Sequence, residues 1–366
     1  MDRRDFLKGA AALPLASLAP HAGFAQQSAF APKPGPWRSY DLVTRVDVIN
    51  AIGQPQAWIP LPSVNEADWF RSGDSTWTTN AATATRVRDP KYGADMLHVV
   101  WKDGEDKPLV EVTSRITTRD RAVDLSKPGQ APALSETQRK LYLEGTELIP
   151  VDGIVKETSD LIVAGKKTDV EKARAIYEWV VENTFRNTAT RGCGTGDIVA
   201  MLKTKNLSGK CADLNALYVG LARAAGLPAR DVYGLRVAPS QFGYKSLGAG
   251  SADVTKAQHC RAEVYLTGFG WIPVDPADVR KVVLEEPPAN LAIDDAKVVA
   301  ARKALFGSWE GNWLAYNFAH DLALPGGKHP KLGFLMYPQA ENAGLLLDSL
   351  DPASVKYTLT AKPVTA

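Results

Sequence analysis

The chain has 366 residues, with 43 lysines and arginines against 41 aspartates and glutamates, a formal net charge of +2. This length is ample for a sizeable hydrophobic core and indicates two domains, or one domain with large additions. Such a balanced composition does not predict nucleic acid or an anionic membrane surface as a partner. The 5 histidines and 3 cysteines fall in no metal-ligand spacing, so we predict no structural zinc site and no cofactor.

The first 25 residues resemble a twin-arginine export signal. Arg3 and Arg4 precede a short, mildly apolar, alanine-rich segment that ends in small residues suited to cleavage before Gln26. The apolar segment is about half of the roughly 20 residues that span a bilayer. The alternative is an accidental arginine pair before an N-terminal helix. We expect a periplasmic or secreted protein with no membrane span after removal of the signal.

A flexible spacer at 26–36, rich in proline and small residues, leads into a region of alternating polar and apolar residues. Stretches such as DLVTRVDVIN, DMLHVVW and LVEVTSRITTR are separated by turns containing glycine, proline, asparagine or aspartate. This pattern predicts an antiparallel β domain of sandwich type at 37–125.

The segment 126–366 has a different pattern, with helices first and strands afterwards. Ser135 with Gln138, and Thr168 with Glu171, match capping boxes that begin helices. Alternating segments follow the helices and indicate an α+β domain. We assign the strand-like C-terminal tail to this same domain, as an extension.

Cys211 opens the segment CADLNALYVGLARAAG, whose apolar residues recur at helical spacing and whose glycine, Gly226, is typical of a helix end. We therefore place this cysteine in the first turn of a helix. Unpaired N–H groups and the positive end of the helix dipole favour a thiolate there. Taken alone, the segment is as consistent with a structural cysteine as with a nucleophile.

The segment HCRAEVYLTGFGWIPVDP has the alternation and the glycine-rich turn of a β-hairpin. If the apolar residues of both strands share one buried face, the turn contains an odd number of residues. A three-residue turn at 267–269 sets Arg261 opposite Asp275 and makes His259 the diagonal neighbour of Asp275. A four-residue turn would separate His259 from Asp275 and leave no triad.

Cys211, His259 and Asp275 together complete a set for nucleophilic catalysis. Asp275 can accept a hydrogen bond from one ring nitrogen, and His259 can take the thiol proton and return it to a leaving amine. The N–H groups at the start of the Cys211 helix are candidates to hold the oxyanion.

Three blocks resemble the transglutaminase-like superfamily: GKCADLNALYVGLARAAGLPARDVYGLRV, the His-x-x-x-Glu-x-Tyr run from His259, and GWIPVDP. The resemblance covers about residues 135–285. It implies a papain-like α+β core with Cys211 as nucleophile, His259 as general base and acid, and Asp275 as the orienting residue. Bacterial members often carry an N-terminal β domain.

Two features depart from the family pattern or leave it incomplete. The residue after the histidine is often aromatic in the family and is Cys260 here. The second oxyanion donor does not map securely, although Trp179 lies at a comparable distance before the cysteine, and we leave it unassigned. By strand alternation Cys260 faces the core, away from Cys211. A disulfide between Cys193 and Cys260 suits an oxidising compartment, and buried free thiols are the alternative.

These observations predict an exported thiol enzyme that attacks amide carbonyls through an acyl-thioester on Cys211. Hydrolysis by a cysteine peptidase or amidase is favoured because water is always present, whereas its exclusion needs a purpose-built site. Glutamine-to-lysine cross-linking by a protein-glutamine gamma-glutamyltransferase and a non-catalytic binding module are the alternatives. The expected partner is a peptide or protein amide, and the sequence does not indicate the oligomeric state.

Overall fold

The structure is a computed structural model that describes residues 30–365. The predicted export signal lies outside the described residues. Within 30–365, no helix has the length and apolar character that crossing a membrane requires. The described chain is a mixed α+β protein with a β-rich N-terminal region, which confirms the predicted fold class.

The described residues begin with a run of strands before the first helix. They are β1 (Arg38–Val48), β2 (Gln56–Leu61), β3 (Asn65–Glu66), β4 (Phe70–Thr79), β5 (Thr83–Arg88), β6 (Asp95–Val100), β7 (Leu109–Thr118) and β8 (Arg121–Ala122). The helices that follow are α1 (Glu136–Leu141), α2 (Gly153–Val163), α3 (Asp169–Asn183), α4 (Ile198–Thr204), α5 (Cys211–Ala224), α6 (Pro276–Glu285) and α7 (Ala296–Ala304), with a short 3₁₀ turn at Lys245–Leu247.

Further strands lie between and after these helices. They are β9 (Phe185–Arg186), β10 (Ser208–Gly209), β11 (Ala229–Arg236), β12 (Gln258–Leu266), β13 (Gly270–Val274), β14 (Ser308–Trp309), β15 (Trp313–Asn317), β16 (His320–Leu322), β17 (Leu332–Phe334), β18 (Gln339–Asn342), β19 (Leu345–Leu346) and β20 (Val355–Val364).

Two five-stranded antiparallel sheets form the β domain, in the orders β20-β1-β7-β4-β3 and β19-β18-β2-β6-β5. Apolar side chains from both sheets, among them Val46, Ile59, Val99 and Val112, form one shared core. Two sheets packed face to face in this way make a β-sandwich.

The last three strands, β18 to β20, complete the sandwich, which differs from their expected place in the helical domain. β20 pairs with β1 over ten residues, from Ser39 opposite Val364 to Val48 opposite Val355, and β18 pairs with β2. The free edges of β1 and β2 would otherwise expose backbone N–H and C=O groups, which a strand from any part of the chain can pair.

The helical region contains a four-stranded sheet in the order β13-β12-β11-β15. Helix α5 packs across β12 and β11. Every residue of β12 from His259 to Leu266 is buried, including the charged ones. Glu263 is accommodated because Arg121 and Arg230 both donate to its carboxylate, the latter at 2.5 Å. Burial raises the pKa of Glu263, but the two guanidinium groups outweigh it and hold the pKa below its usual value.

We predict that Glu263→Gln lowers the free energy of unfolding by about 3 kcal/mol, because two buried guanidinium groups lose their shared counter-charge. Urea unfolding measures the effect. The control is Asp160→Asn, which breaks the exposed Lys156–Asp160 pair and should cost below about 0.5 kcal/mol. Equal stability of the two variants would contradict the predicted role of Glu263.

Candidate active site

The helix α5 begins at Cys211, and the cysteine lines a cleft of about 580 Å³. The cleft is bounded by the start of α5, the start of β12 and the first residues of β20, so it lies where the helical core meets the sandwich. His259 lines the same cleft. The cysteine and the histidine named from the sequence therefore share one cavity.

Asp213 anchors the start of α5 to the loop before it. Its carboxylate accepts hydrogen bonds from the backbone N–H of Lys210 at 2.9 Å and of Thr195 and Gly196 at 3.0 Å each. Gly194 in this loop has φ of +92°, and a Cβ there would clash with the Asp213 carboxylate. These three hydrogen bonds fix the start of α5, which carries Cys211. Asp213 was not identified from the sequence, although an acidic residue in the first turn of a helix is a capping signal.

The hairpin of β12 and β13 has the register predicted for a three-residue turn. Leu266 lies opposite Gly270 and Ala262 opposite Val274, which leaves 267–269 as the turn. His259 Nε2 lies 2.7 Å from Asp275 Oδ2, and both side chains are buried. The hairpin thus brings together the imidazole and the carboxylate.

Asp275 is also the N-cap residue of helix α6. Its Oδ1 accepts the backbone N–H of Asp278 at 3.0 Å and the side-chain amide of Asn215 at 3.2 Å. Asn215, one turn after Cys211, also donates to the carbonyl of Cys260 at 2.8 Å. The buried amide of Asn215 therefore links α5 to the hairpin and fixes the Asp275 carboxylate. Asn215 was not identified from the sequence, where its signal is a polar residue inside a fully buried helix.

Asp278 is a second carboxylate beside the imidazole, also missed from the sequence. Its Oδ1 lies 3.4 Å from His259 Nε2 and 2.6 Å from Arg236 Nη2. Burial and the positive charge of Arg236 lower the pKa of His259. The carboxylates of Asp278 and Asp275 together exceed these effects and raise the pKa to about 9. The imidazolium form is therefore favoured at neutral pH.

The thiol of Cys211 is favoured as a thiolate. Hydrogen bonds from the thiols of Cys193 and Cys260 lower its pKa, burial opposes them, and the imidazolium of His259 lowers the pKa further, to well below the ordinary value. The pair of a thiolate and an imidazolium is the ground state of a cysteine nucleophile. Nε2 is engaged by Asp275, which leaves Nδ1 of His259 as the nitrogen available to the sulfur.

The three cysteines form a sulfur cluster, defined here as Cys193, Cys211 and Cys260. Their sulfur atoms all lie within 4.8 Å of one another, and all three are buried free thiols without the disulfide considered from the sequence. The prediction that Cys260 points away from Cys211 is wrong. The core face of β12 is the face against which α5 packs, so a side chain that faces the core faces the start of that helix.

Within the described part of the chain, 30–365, two groups of donor atoms are close enough together to share a metal ion: the sulfur cluster, and His259 with Asp275 and Asp278. The second group is already engaged, because Asn215 and Arg236 bond its carboxylates. The absence of a cofactor stays a prediction.

One backbone N–H near the sulfur is available to a ligand. The N–H of Ala212 donates to the carbonyl of Cys193 at 2.9 Å, whereas the N–H of Cys211 has no acceptor among residues 30–365. The latter is the candidate oxyanion donor. Trp179 does not line the cleft, so a second donor is not assigned.

We predict that Asp278→Asn lowers the pKa of the His259 imidazole, because it removes a negative charge and leaves the positive charge of Arg236 uncompensated. Because its pKa is raised, His259 is an imidazolium at neutral pH and loses its proton as the pH rises through about 9. In the variant the titration midpoint therefore moves to lower pH. NMR titration of labelled histidine rings measures it. Asp253→Asn, in the same cleft, is the control, and an unmoved midpoint in Asp278→Asn would exclude this role.

Comparison with known proteins gives one family. Residues 156–276 match the family model described as the transglutaminase-like superfamily. An uncharacterized protein of Haemophilus influenzae is 38% identical over 340 residues, which cover 89% of this chain and 90% of the relative.

The chain is also similar to solved structures. A Cytophaga hutchinsonii protein provisionally named a cysteine protease has a TM-score of 0.51 at 13% identity, over 90% of this chain and 99% of that one. The periplasmic domain of TgpA from Pseudomonas aeruginosa, bound to ethylmercury, has a TM-score of 0.36 at 16% identity, over 73% of this chain and 77% of that one. The family match and the relative together show that the chain belongs to the transglutaminase-like superfamily.

Proposed function

We propose that the protein is an exported thiol enzyme that hydrolyses peptide-type amide bonds through an acyl-thioester on Cys211. The observation that carries the proposal is the shared cleft of Cys211 and His259, with His259 Nε2 2.7 Å from Asp275. A cysteine, an imidazole and an orienting carboxylate are the groups that acyl transfer of this kind uses.

In the first half-reaction the thiolate of Cys211 attacks the amide carbonyl carbon, and the carbonyl oxygen becomes an oxyanion facing the N–H of Cys211. The imidazolium of His259 then donates its proton to the amide nitrogen. The carbon–nitrogen bond breaks, the amine leaves, and an acyl-thioester remains on the sulfur.

In the second half-reaction His259 acts as the base. It accepts a proton from water, the resulting hydroxide adds to the thioester carbonyl, and the carbon–sulfur bond breaks. The products are a carboxylic acid and the regenerated thiolate, paired again with the imidazolium. Asp275 keeps Nε2 as a hydrogen-bond donor throughout and stabilises the positive ring, as a positioning group.

The charge of the cleft supports hydrolysis over cross-linking. Seven lysine and arginine residues line it, against Asp253 as the one acidic lining residue within 30–365. A protonated primary amine is repelled by such a surface, whereas water is not. Hydrolysis is therefore the favoured fate of the thioester.

We predict that Cys211→Ala lowers turnover of a cleaved peptide amide by a factor on the order of 10⁴ to 10⁶. The measurement uses a peptide library with a glutamine-containing donor and a labelled primary amine. New peptide termini or ammonia without incorporated label support hydrolysis, and incorporated label supports transfer.

Reaction with iodoacetamide at neutral pH is the companion measurement. The intact protein should take up one equivalent quickly, and Cys211→Ala should lose this fast phase, because Cys211 is the thiol whose pKa is lowered. In the intact protein the Cys211 sulfur raises the pKa of Cys193, and burial raises the pKa of Cys260. Slow uptake by Cys211, no faster than by an ordinary cysteine, would instead favour a binding module without catalysis.

Export is tested separately. We predict that Arg3→Lys with Arg4→Lys leaves the protein unprocessed in the cytoplasm, because the arginine pair is the feature read by a twin-arginine system. Cell fractionation measures it, with Arg45→Lys on an exposed strand position as the control. Equal processing of both variants would remove the basis for export by this system.

A further inference from the structure

The cleft has a marked excess of positive charge. Its cationic lining residues come from separate parts of the chain and are Arg186, Arg191, Lys210, Arg236, Lys256, Lys281 and Lys356. The start of α5, the loop before β12 and the last strand, β20, each contribute. Positive charge therefore surrounds the candidate nucleophile on several sides.

Salt bridges compensate only part of this charge. Glu285 lies 2.7 Å from Arg186 and 3.8 Å from Lys281, and Asp348 lies 2.7 Å from Arg191. Asp278 is the partner of Arg236, as described above. Seven cations thus face three partner carboxylates and Asp253, which leaves an excess of three positive charges.

Three lysines of the cleft form no salt bridge within the described residues. Lys210, Lys256 and Lys356 have no carboxylate within 4.0 Å among residues 30–365. Lys210 immediately precedes Cys211, and Lys256 and Lys356 are exposed at the cleft. Asp253 offsets part of the charge of Lys256, since Lys256 helps to lower its pKa. Unpaired cations on a concave surface attract anions.

We propose that the substrate is an acidic peptide, an amide that carries carboxylates close to the scissile bond. This inference rests on the proposed function of the same site. Carboxylates bound by Lys210, Lys256 and Lys356 would orient the amide against Cys211, and a peptide rich in lysine would be repelled. Tyr357 and Leu350, which also line the cleft, supply apolar surface for the peptide stems.

The test measures binding, so it does not depend on turnover. Hexapeptide pools with glutamate at alternate positions, and the same pools with glutamine or lysine, are titrated against the Cys211→Ala protein. We expect the glutamate pool to bind roughly 10-fold more tightly than the glutamine pool, with the ratio falling as salt rises.

Charge reversal at the cleft identifies the residues. Lys256→Glu with Lys356→Glu should abolish the roughly 10-fold preference for the glutamate pool over the glutamine pool. Lys362→Glu is the matched control: Lys362 is exposed on the same strand and the same face as Lys356 but does not line the cleft. It should leave the preference unchanged.

The outcomes separate this inference from the proposed function. Equal binding of glutamate and glutamine pools, or loss of the preference in Lys362→Glu as well, would overturn the acidic substrate while peptide hydrolysis by the intact protein could still be observed. Selective binding of the glutamate pool without any turnover would support the substrate class and contradict the hydrolytic function.

Discussion

The register between β12 and β13 is the constraint on which the candidate site depends. The side-chain period of a strand is two, so a slip of one residue would move His259 to the face opposite Asp275. The three-residue turn avoids this, and glycines with positive φ at Gly268 and Gly270 allow the chain to make it. Asp275 directly follows β13. It caps α6 and also accepts a hydrogen bond from the His259 imidazole. The same backbone geometry that shapes the hairpin therefore also orients the histidine.

Burial on both faces of β12 explains the electrostatics of this region. The charged residues of this central strand are buried beside α5, Arg121 and Trp309 and have no solvent to stabilise them, so each charge needs a partner. Glu263 is satisfied by Arg121 and Arg230, and the carboxylate Asp278 by Arg236. Such networks are rigid, because moving one member leaves another unpaired. Rigid charged groups of this kind are preorganised for the development of charge in a reaction.

The sandwich contributes directly to the cleft. Its last strand, β20, pairs with β1 and also presents Lys356 and Tyr357 to the cavity that contains Cys211. The β domain and the helical core are thus joined at the place where a substrate would bind. Under the proposed function, charge on β20 influences which peptides bind, although the strand is far in sequence from the cysteine.

Much of the site follows from local sequence patterns. The helical spacing after Cys211 and the alternation after His259 are short-range features. They predict a helix start and, if the apolar faces of both strands are buried, a turn that pairs an imidazole with a carboxylate. The residues of the three blocks also resemble the transglutaminase-like superfamily, and the family match confirms this resemblance. These inferences succeed because each depends on residues that are close in the chain, where backbone geometry restricts the possible arrangements.

Tertiary packing alone decided the rest. Alternation shows that Cys260 is buried but does not show that α5 is what buries it, so the sulfur cluster is visible only in the fold. The pairing of β20 with β1 and the approach of Asp278 and Arg236 to His259 likewise join distant segments. A periodic pattern reports that one face of an element is covered. Which element covers it depends on long-range contacts that the local pattern does not encode.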